Sequence, residues 1–216
     1  MKVLSSRTED IVVTQADYLK LLTEEIHSAT VATIGTDGHP QTRVVDMMLC
    51  DERGVYFLTA KGKSFYTQLT EQGYIALSAT KNKVAVSLRG RVRSIGDERL
   101  DEIFEKNPYM KSIYPGDTRR ALEVFWLYEA QGEYFDISDP SRVKRDVITI
   151  GKAEQGSPTY CVSEKCNGCG KCAPVCPQKS IGIADNRAAI EEKRCLSCGL
   201  CAEVCPRGAI EKRNFK

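Results

Sequence analysis

Cys166-Asn167-Gly168-Cys169-Gly170-Lys171-Cys172-Ala173-Pro174-Val175-Cys176-Pro177 is answered, 29 residues on, by Cys195-Leu196-Ser197-Cys198-Gly199-Leu200-Cys201-Ala202-Glu203-Val204-Cys205-Pro206. Both runs read C-x2-C-x2-C-x3-C-P, and each is followed by a short apolar strand, Ile181 with Ile183 and Ala209 with Ile210. These runs hold eight of the ten cysteines, all in the last quarter of 216 residues. Such crowding in a small secreted protein would mean disulfides, but the opening Met1-Lys2-Val3-Leu4 lacks the apolar core of a signal peptide. No apolar run approaches the roughly 20 residues of a membrane span. We therefore expect a cytoplasmic chain in a reducing compartment, where closely spaced cysteines bind metal.

The spacing suits iron–sulfur chemistry. Three thiolates two residues apart hold three irons of one cubane, and the fourth, placed before proline, reaches across to the other cluster. On that logic Cys166, Cys169, Cys172 and Cys205 hold one [4Fe–4S] cluster, and Cys195, Cys198, Cys201 and Cys176 hold the second. Gly168, Gly170 and Gly199 let the backbone wrap closely and aim N–H groups at sulfur. Zinc is the competing guest, but a tetrahedral ion takes separated C-x2-C pairs and does not call for two tandem four-cysteine runs. The stretch resembles bacterial two-cluster ferredoxins. Cys161 and Cys50 fall outside the runs and read as small buried residues.

Outward from this tail, residues 159–216 are too few for a large core and need a metal staple. Asp139-Pro140-Ser141 to Gly156-Ser157-Pro158 shifts to polar residues, Gly and Pro, and reads as a linker (140–158) after a first domain of residues 1–139. That domain alternates strand and helix signals. Tyr18, Leu21, Leu22 and Ile26 make one helical stripe that breaks at His27-Ser28. Strands follow at 29–34 and 41–50 around the hairpin signal Asp37-Gly38, then at 55–59, 74–80 and 84–92, with Gly90 marking a bulge. Helices are expected at 64–71 and 97–105, and two aromatic-rich strands at 121–128 and 133–137. The fold class is mainly β plus α+β: a closed or nearly closed antiparallel barrel with peripheral helices, then the small cluster domain.

With 42% hydrophobic and 28% charged residues and a net charge of +2, the composition gives no argument for nucleic acid or a membrane surface. Within the barrel, the strand Val55-Tyr56-Phe57-Leu58-Thr59 passes through Ala60-Lys61-Gly62-Lys63 into a helix opening at Ser64. A helix start with free N–H groups beside two lysines suits a phosphate, although a plain cap with solvated lysines reads equally well. Arg89, Arg91 and Arg93 alternate onto one strand face and read as solvated. Trp126, with Phe125 and Tyr128, reads as core or subunit interface. His27 and His39, at a helix end and a turn, have no partner pattern for catalysis.

Residues 27–137 resemble the pyridoxamine-5′-phosphate-oxidase-like, FMN-binding split-barrel family. The resemblance rests on Thr30–Ile34 with Asp37–Pro40, Thr42-Arg43-Val44-Val45, Val55–Leu69, Leu88–Val92, Asn107–Tyr114 and Val124–Leu127. It implies a homodimer with FMN at the subunit interface. It also implies that Arg43 and Lys63 pair with the FMN phosphate, assisted by Lys61 and Ser64. Val44, Val45 and Asp46 would run beside the isoalloxazine, with Thr59 at the end of the flavin strand. The full basic set of true pyridoxamine-phosphate oxidases is not present, and relatives in the family bind haem or another flavin-like cofactor. Joined to the tail, the resemblance implies an FMN-dependent iron–sulfur oxidoreductase with an unidentified small-molecule acceptor or donor. The alternative is a non-catalytic electron carrier or redox sensor whose barrel docks a partner or another ligand. No residue nominates itself as a proton donor, so the catalytic residues stay unassigned; Asp46 and Tyr109 are guesses.

Overall fold

The structure, a computed structural model, describes residues 14–154 and 160–213; the start of the chain, where a leader segment was sought, lies outside them. The helical stripe forms α1 (Gln15–Lys20), which continues as a wider π-helical turn (Leu21–Ile26). Six strands follow: β1 (Ser28–Ile34), β2 (Pro40–Asp51), β3 (Gly54–Ala60), β4 (Tyr74–Lys81), β5 (Val84–Ser94) and β6 (Leu122–Asp136). They pair antiparallel in the order β3-β2-β1-β4-β5-β6, and β6 returns to β3, so these six strands close into a barrel.

Alternation explains the interior. Val31, Met47, Phe57, Ile75, Leu77, Val86, Leu88, Phe125 and Leu127 fill the barrel, sealed by Tyr18, Leu19 and Leu22 from the helix. β3 does not alternate: from Gly54 to Thr59 every residue is buried. Its second face lies under α3 (Leu100–Lys106), where Tyr56 and Leu58 meet Leu100, Ile103 and Phe104. A strand covered on both sides reads as an unbroken apolar run. A register shift between Met47 and Leu49 lets Met47 face the barrel while Met48 and Leu49 both join this outer cluster.

Three expectations change. The strands expected at 121–128 and 133–137 are one, the 15-residue β6. Glu129 to Gly132 looked like a break because of its glycine, but Gly132 sits against β5, where a Cβ would lie 1.8 Å from the Ser87 carbonyl oxygen. Gly90 is in register opposite Ala130, and the bulge falls one step later, between Arg91 and Val92. The stretch read as a linker carries β7 (Lys144–Ile150), paired with β6 from Ala130 to Asp136; residues 155–158 of that stretch lie outside the described ones.

β7 is also where the cysteine-rich part rests. That part holds β8 (Tyr160–Val162) paired with β11 (Ile210–Lys212), and the hairpin β9 (Ile181–Ala184) and β10 (Arg187–Ile190). Arg145 of β7 reaches Glu133 with Nε at 2.7 Å and Nη2 at 2.5 Å, and its Nη1 donates to the Cys195 carbonyl (3.3 Å) and to Ser197 Oγ (2.8 Å). Gln178 accepts from the Val143 N–H at 3.2 Å and donates to the Pro140 carbonyl at 3.2 Å. Lys193 pairs with Asp146 at 3.2 Å, and the Tyr18 hydroxyl donates to the same carboxylate from the other side.

Candidate functional site

The eight motif cysteines gather around two cavities. Cys166, Cys169 and Cys172 share the first with Cys205, and Cys195, Cys198 and Cys201 share the second with Cys176. Each cavity thus draws three cysteines from one repeat and one from the other. Cys161 lines neither; it sits in β8 with its thiol 3.5 Å from the Glu211 carbonyl. Four thiols line each cavity, the donor set that an iron–sulfur cluster takes.

The backbone prepares these sulfurs. Ala188 N–H points at Cys166 Sγ (3.4 Å) and Ser197 N–H at Cys195 Sγ (3.4 Å). Ser180 N–H points at Cys176 Sγ (3.4 Å) and Ala209 N–H at Cys205 Sγ (3.2 Å), the same four-residue step in both repeats. The amides of Ala188 and Gly168 pull the Cys166 thiol below its usual range, and that of Ala209 does the same for Cys205. For Cys176 burial pushes upward, but the Ser180 hydroxyl and the neighbouring amides bring it below the usual value. Burial, joined by neighbouring sulfurs, raises Cys172 and Cys201, a cost that iron would offset by neutralising the thiolates. Gly168 has φ +69°, and a Cβ there would lie 2.6 Å from the Asn186 carbonyl carbon, so the loop closes only around glycine.

A second site opens on the barrel wall. A groove of ≈520 Å³ runs from Arg43 and Lys63 past Val44, Val45, Asp46 and Thr59 to Met48, Met110 and Tyr114, with Ser64 at the cationic end. It has ordinary cofactor dimensions. Of the residues expected here only Lys61 is outside the lining; it lies in the turn between β3 and α2 (Ser64–Gln72), its N–H bonded to the Ala121 carbonyl. Arg43 is held in place: Nη1 donates to Thr33 Oγ1 (2.6 Å) and the Gln41 carbonyl (3.1 Å), Nη2 to Gln68 Oε1 (2.9 Å). Its guanidinium lies 4.4 Å from the Phe65 ring centre, and burial lowers its pKa from the usual value. Lys63 caps α2, whose first N–H groups open at Ser64. Val44, on this wall, is 71% exposed, a large apolar side chain awaiting cover.

The other sequence candidates resolve as follows. Arg93 packs over Trp126 (4.8 Å) and Tyr128 (5.2 Å), while Arg91 pairs loosely with Glu129 at 3.5 Å. Trp126 Nε1 donates to the Arg53 carbonyl at 3.0 Å. Cys50 is half-buried and accepts from Thr23 Oγ1 at 3.2 Å.

His27, which the sequence reading set aside, belongs to a cluster at the groove's rim. Tyr109 Oη lies 2.8 Å from Asp46 Oδ2 and 3.0 Å from His27 Nε2, and Ser28 Oγ donates to Asp46 Oδ1 at 2.6 Å. His27 Nδ1 lies 2.9 Å from the Thr23 carbonyl, which fixes its hydrogen there because a carbonyl only accepts. Burial, then the Asp46 carboxylate, hold the Tyr109 hydroxyl above the usual phenol range. His27 has φ +69° and ψ −57°, a costly conformation for a residue with a side chain. With His27 and Tyr109 82 positions apart, no spacing in the sequence could have announced the pair.

Residues 16–133 match the family model described as pyridoxamine 5′-phosphate oxidase, and residues 165–209 match the 4Fe–4S dicluster domain. A pyridoxine/pyridoxamine 5′-phosphate oxidase from Methylibium petroleiphilum is 32% identical over 92 residues, 42% of this chain and 43% of the relative. One from Paracidovorax citrulli is 34% identical over 86 residues, 39% of this chain and 38% of the relative. The chain thus spans about two fifths of these relatives' length. Among solved structures, a NimC/NimA family protein from Clostridium acetobutylicum superimposes with a TM-score of 0.53 at 17% identity, over 63% of this chain and 93% of its own, a likeness of fold. Barrel and cysteine cavities together define a class: an FMN-binding-type split barrel joined to a ferredoxin-type iron–sulfur domain. The family model covers more than half of the sequence, and the chain belongs to the pyridoxamine 5′-phosphate oxidase family.

Proposed function

We propose that the protein is an iron–sulfur flavoprotein oxidoreductase that passes electrons between two [4Fe–4S] clusters and FMN, serving a small-molecule acceptor or donor. The observation that carries this reading is the exchange of cysteines between repeats, which sets four thiols around each of two cavities. Cys166, Cys169, Cys172 and Cys205 would hold one cluster, and Cys195, Cys198, Cys201 and Cys176 the other. Clusters move single electrons, and a bound flavin takes or gives two in single steps.

The chain's own residues supply the rest. Arg43, braced by Thr33 and Gln68, presents a fixed fork to a phosphate, with Lys63 and the Ser64 end of α2 beside it. Val44 and Val45 offer an apolar rail along the groove, Asp46 its polar edge and Thr59 its floor; Lys61 adds charge from the adjoining turn. A second copy of the chain covers the exposed Val44 wall, giving a cytoplasmic homodimer. Labour divides as the composition suggested: residues 1–139 for the flavin, 159–216 for the clusters, and 140–158 joining them. Among the described residues no helix is long and apolar enough to cross a membrane.

Anaerobic purification tests the reading. It expects a bound flavin alongside intact clusters, and Lys63→Ala combined with Arg43→Lys should release the flavin while leaving the cluster absorbance. Clusters without flavin in the unaltered protein would sink it.

A further inference from the structure

The contacts within the cluster of His27, Tyr109 and Asp46 need one hydrogen more than a neutral imidazole and a phenol supply. Three contacts need a proton each: Nδ1 to the Thr23 carbonyl (2.9 Å), Nε2 to Tyr109 Oη (3.0 Å), and Oη to Asp46 Oδ2 (2.8 Å). A neutral imidazole and a phenol bring only two. The third hydrogen has two places to sit, linked through Tyr109: on Asp46, which then donates to Tyr109 while Tyr109 donates to Nε2, or on Nε2 of His27, which then donates to Tyr109 while Tyr109 donates to Asp46. The groups facing His27 are the Thr23 carbonyl from the helix, the Asp46 carboxylate from β2 and the Tyr109 hydroxyl from the loop after Pro108; His27 Nε2 itself lies 3.6 Å from Asp46 Oδ2.

Position links this proton to the groove. Asp46, Met48 and Met110 line it, and Tyr109 touches the first two, at 2.8 Å to Asp46 and 3.6 Å to Met48 Sδ. The outer edge reaches solvent, since the His27 side chain is 28% exposed. The backbone strain at His27 points the same way, because an unfavourable conformation is retained where the side chain's placement matters.

We infer that His27, Tyr109 and Asp46 form a proton relay that serves a ligand in the groove, one whose oxygen or nitrogen becomes basic as it is reduced. The inference rests on the flavin reading for the source of electrons; the relay itself is a matter of protons. Tyr109 gives its O–H proton to the ligand's anionic atom, and the new X–H bond replaces the O–H bond. The phenolate takes the Nε2 proton of His27, and the neutral imidazole regains one from water at its exposed edge. Asp46 is a positioning residue that holds Tyr109 and balances the imidazolium charge.

Two measurements on the holoprotein test this. Reduced with dithionite, it is offered ferrocenium, which takes an electron alone, and dichlorophenolindophenol, which takes electrons with protons. Tyr109→Phe and His27→Gln should slow the dye reaction by about 100-fold and abolish its solvent isotope effect, leaving ferrocenium within about twofold. In parallel, ring nitrogens are followed by NMR in 15N-histidine protein, where only two histidines need assignment. The Nε2 signal of His27 should move in Tyr109→Phe and in Asp46→Asn. Equal dye rates, or an Nε2 signal indifferent to both substitutions, would overturn the relay. If the unaltered protein reduces neither acceptor, the flavin reading fails while the NMR result still decides the relay.

Discussion

Replacing Arg145 with alanine should weaken the hold of the barrel wall on the cysteine-rich unit. The side chain is 11% exposed and makes four contacts, two to Glu133 and one each to the Cys195 carbonyl and Ser197 Oγ. The Glu133 part is discounted, because that carboxylate is 39% exposed and rehydrates once alone; it contributes about 0–1 kcal/mol. The Cys195 carbonyl belongs to a buried residue, and leaving it without its charged donor costs about 1–3 kcal/mol. With the Ser197 bond the docking loss comes to about 2–4 kcal/mol. Trp126, the single tryptophan, reports the barrel, whereas visible cluster absorbance reports the small unit, so urea unfolding followed by both signals separates them. At a slope near 1 kcal/mol per molar urea for so small a unit, the cluster midpoint should fall by roughly 2 M or more. The Trp126 midpoint should barely move. If both midpoints shift together, or neither does, Arg145 does not hold the two parts together as described.

Other outcomes follow from single features. Cys176→Ala should degrade the cluster of the second motif although it lies in the first, and Cys205→Ala should do the converse, read by site-resolved EPR; damage confined to the home motif would refute the exchange. Gly132→Ala puts a methyl 1.8 Å from the Ser87 carbonyl and should cost about 3 kcal/mol or more in urea unfolding of the barrel. At Asp51 burial opposes ionisation, but the Arg53 amide and the Arg99 guanidinium (2.6 Å) hold the carboxyl below the usual range. A lowered folded pKa contributes stability above the unfolded value of about 3.9 and loses it as pH falls through the folded one. Asp51→Asn should therefore flatten the acid limb of the stability–pH curve below about pH 4, and an unchanged limb would count against the Arg99 pairing.

Much of this was legible in order along the chain. Asp37-Gly38 announced the β1–β2 hairpin, and the apolar run at 55–59 marked a strand, whose burial on both faces only the structure shows. The cysteine repeat pointed to an exchange of its fourth cysteines, and the two cavities group the thiols in that way. What escaped has physical reasons. Gly132 looks like a turn signal yet serves a close approach of two backbones. β7 is masked because its residues face the helix, the barrel and the cysteine unit by turns, so Lys144, Arg145 and Asp146 are charged where a strand pattern would want alternation. The sequence points to Asp46 and Tyr109 singly; their meeting with His27, from three separate elements, exists only in space.

The exchange of the fourth cysteine also bears on how the protein matures. On the proposed function, a cluster in the cavity of Cys166 would also fix Cys205 at the end of the second repeat, and one in the cavity of Cys195 would fix Cys176 at the end of the first. Each cavity would be complete only with the opposite loop in place, so loading would be cooperative, and a chain titrated with scarce iron would pass from empty to doubly filled with little of the half-loaded form between.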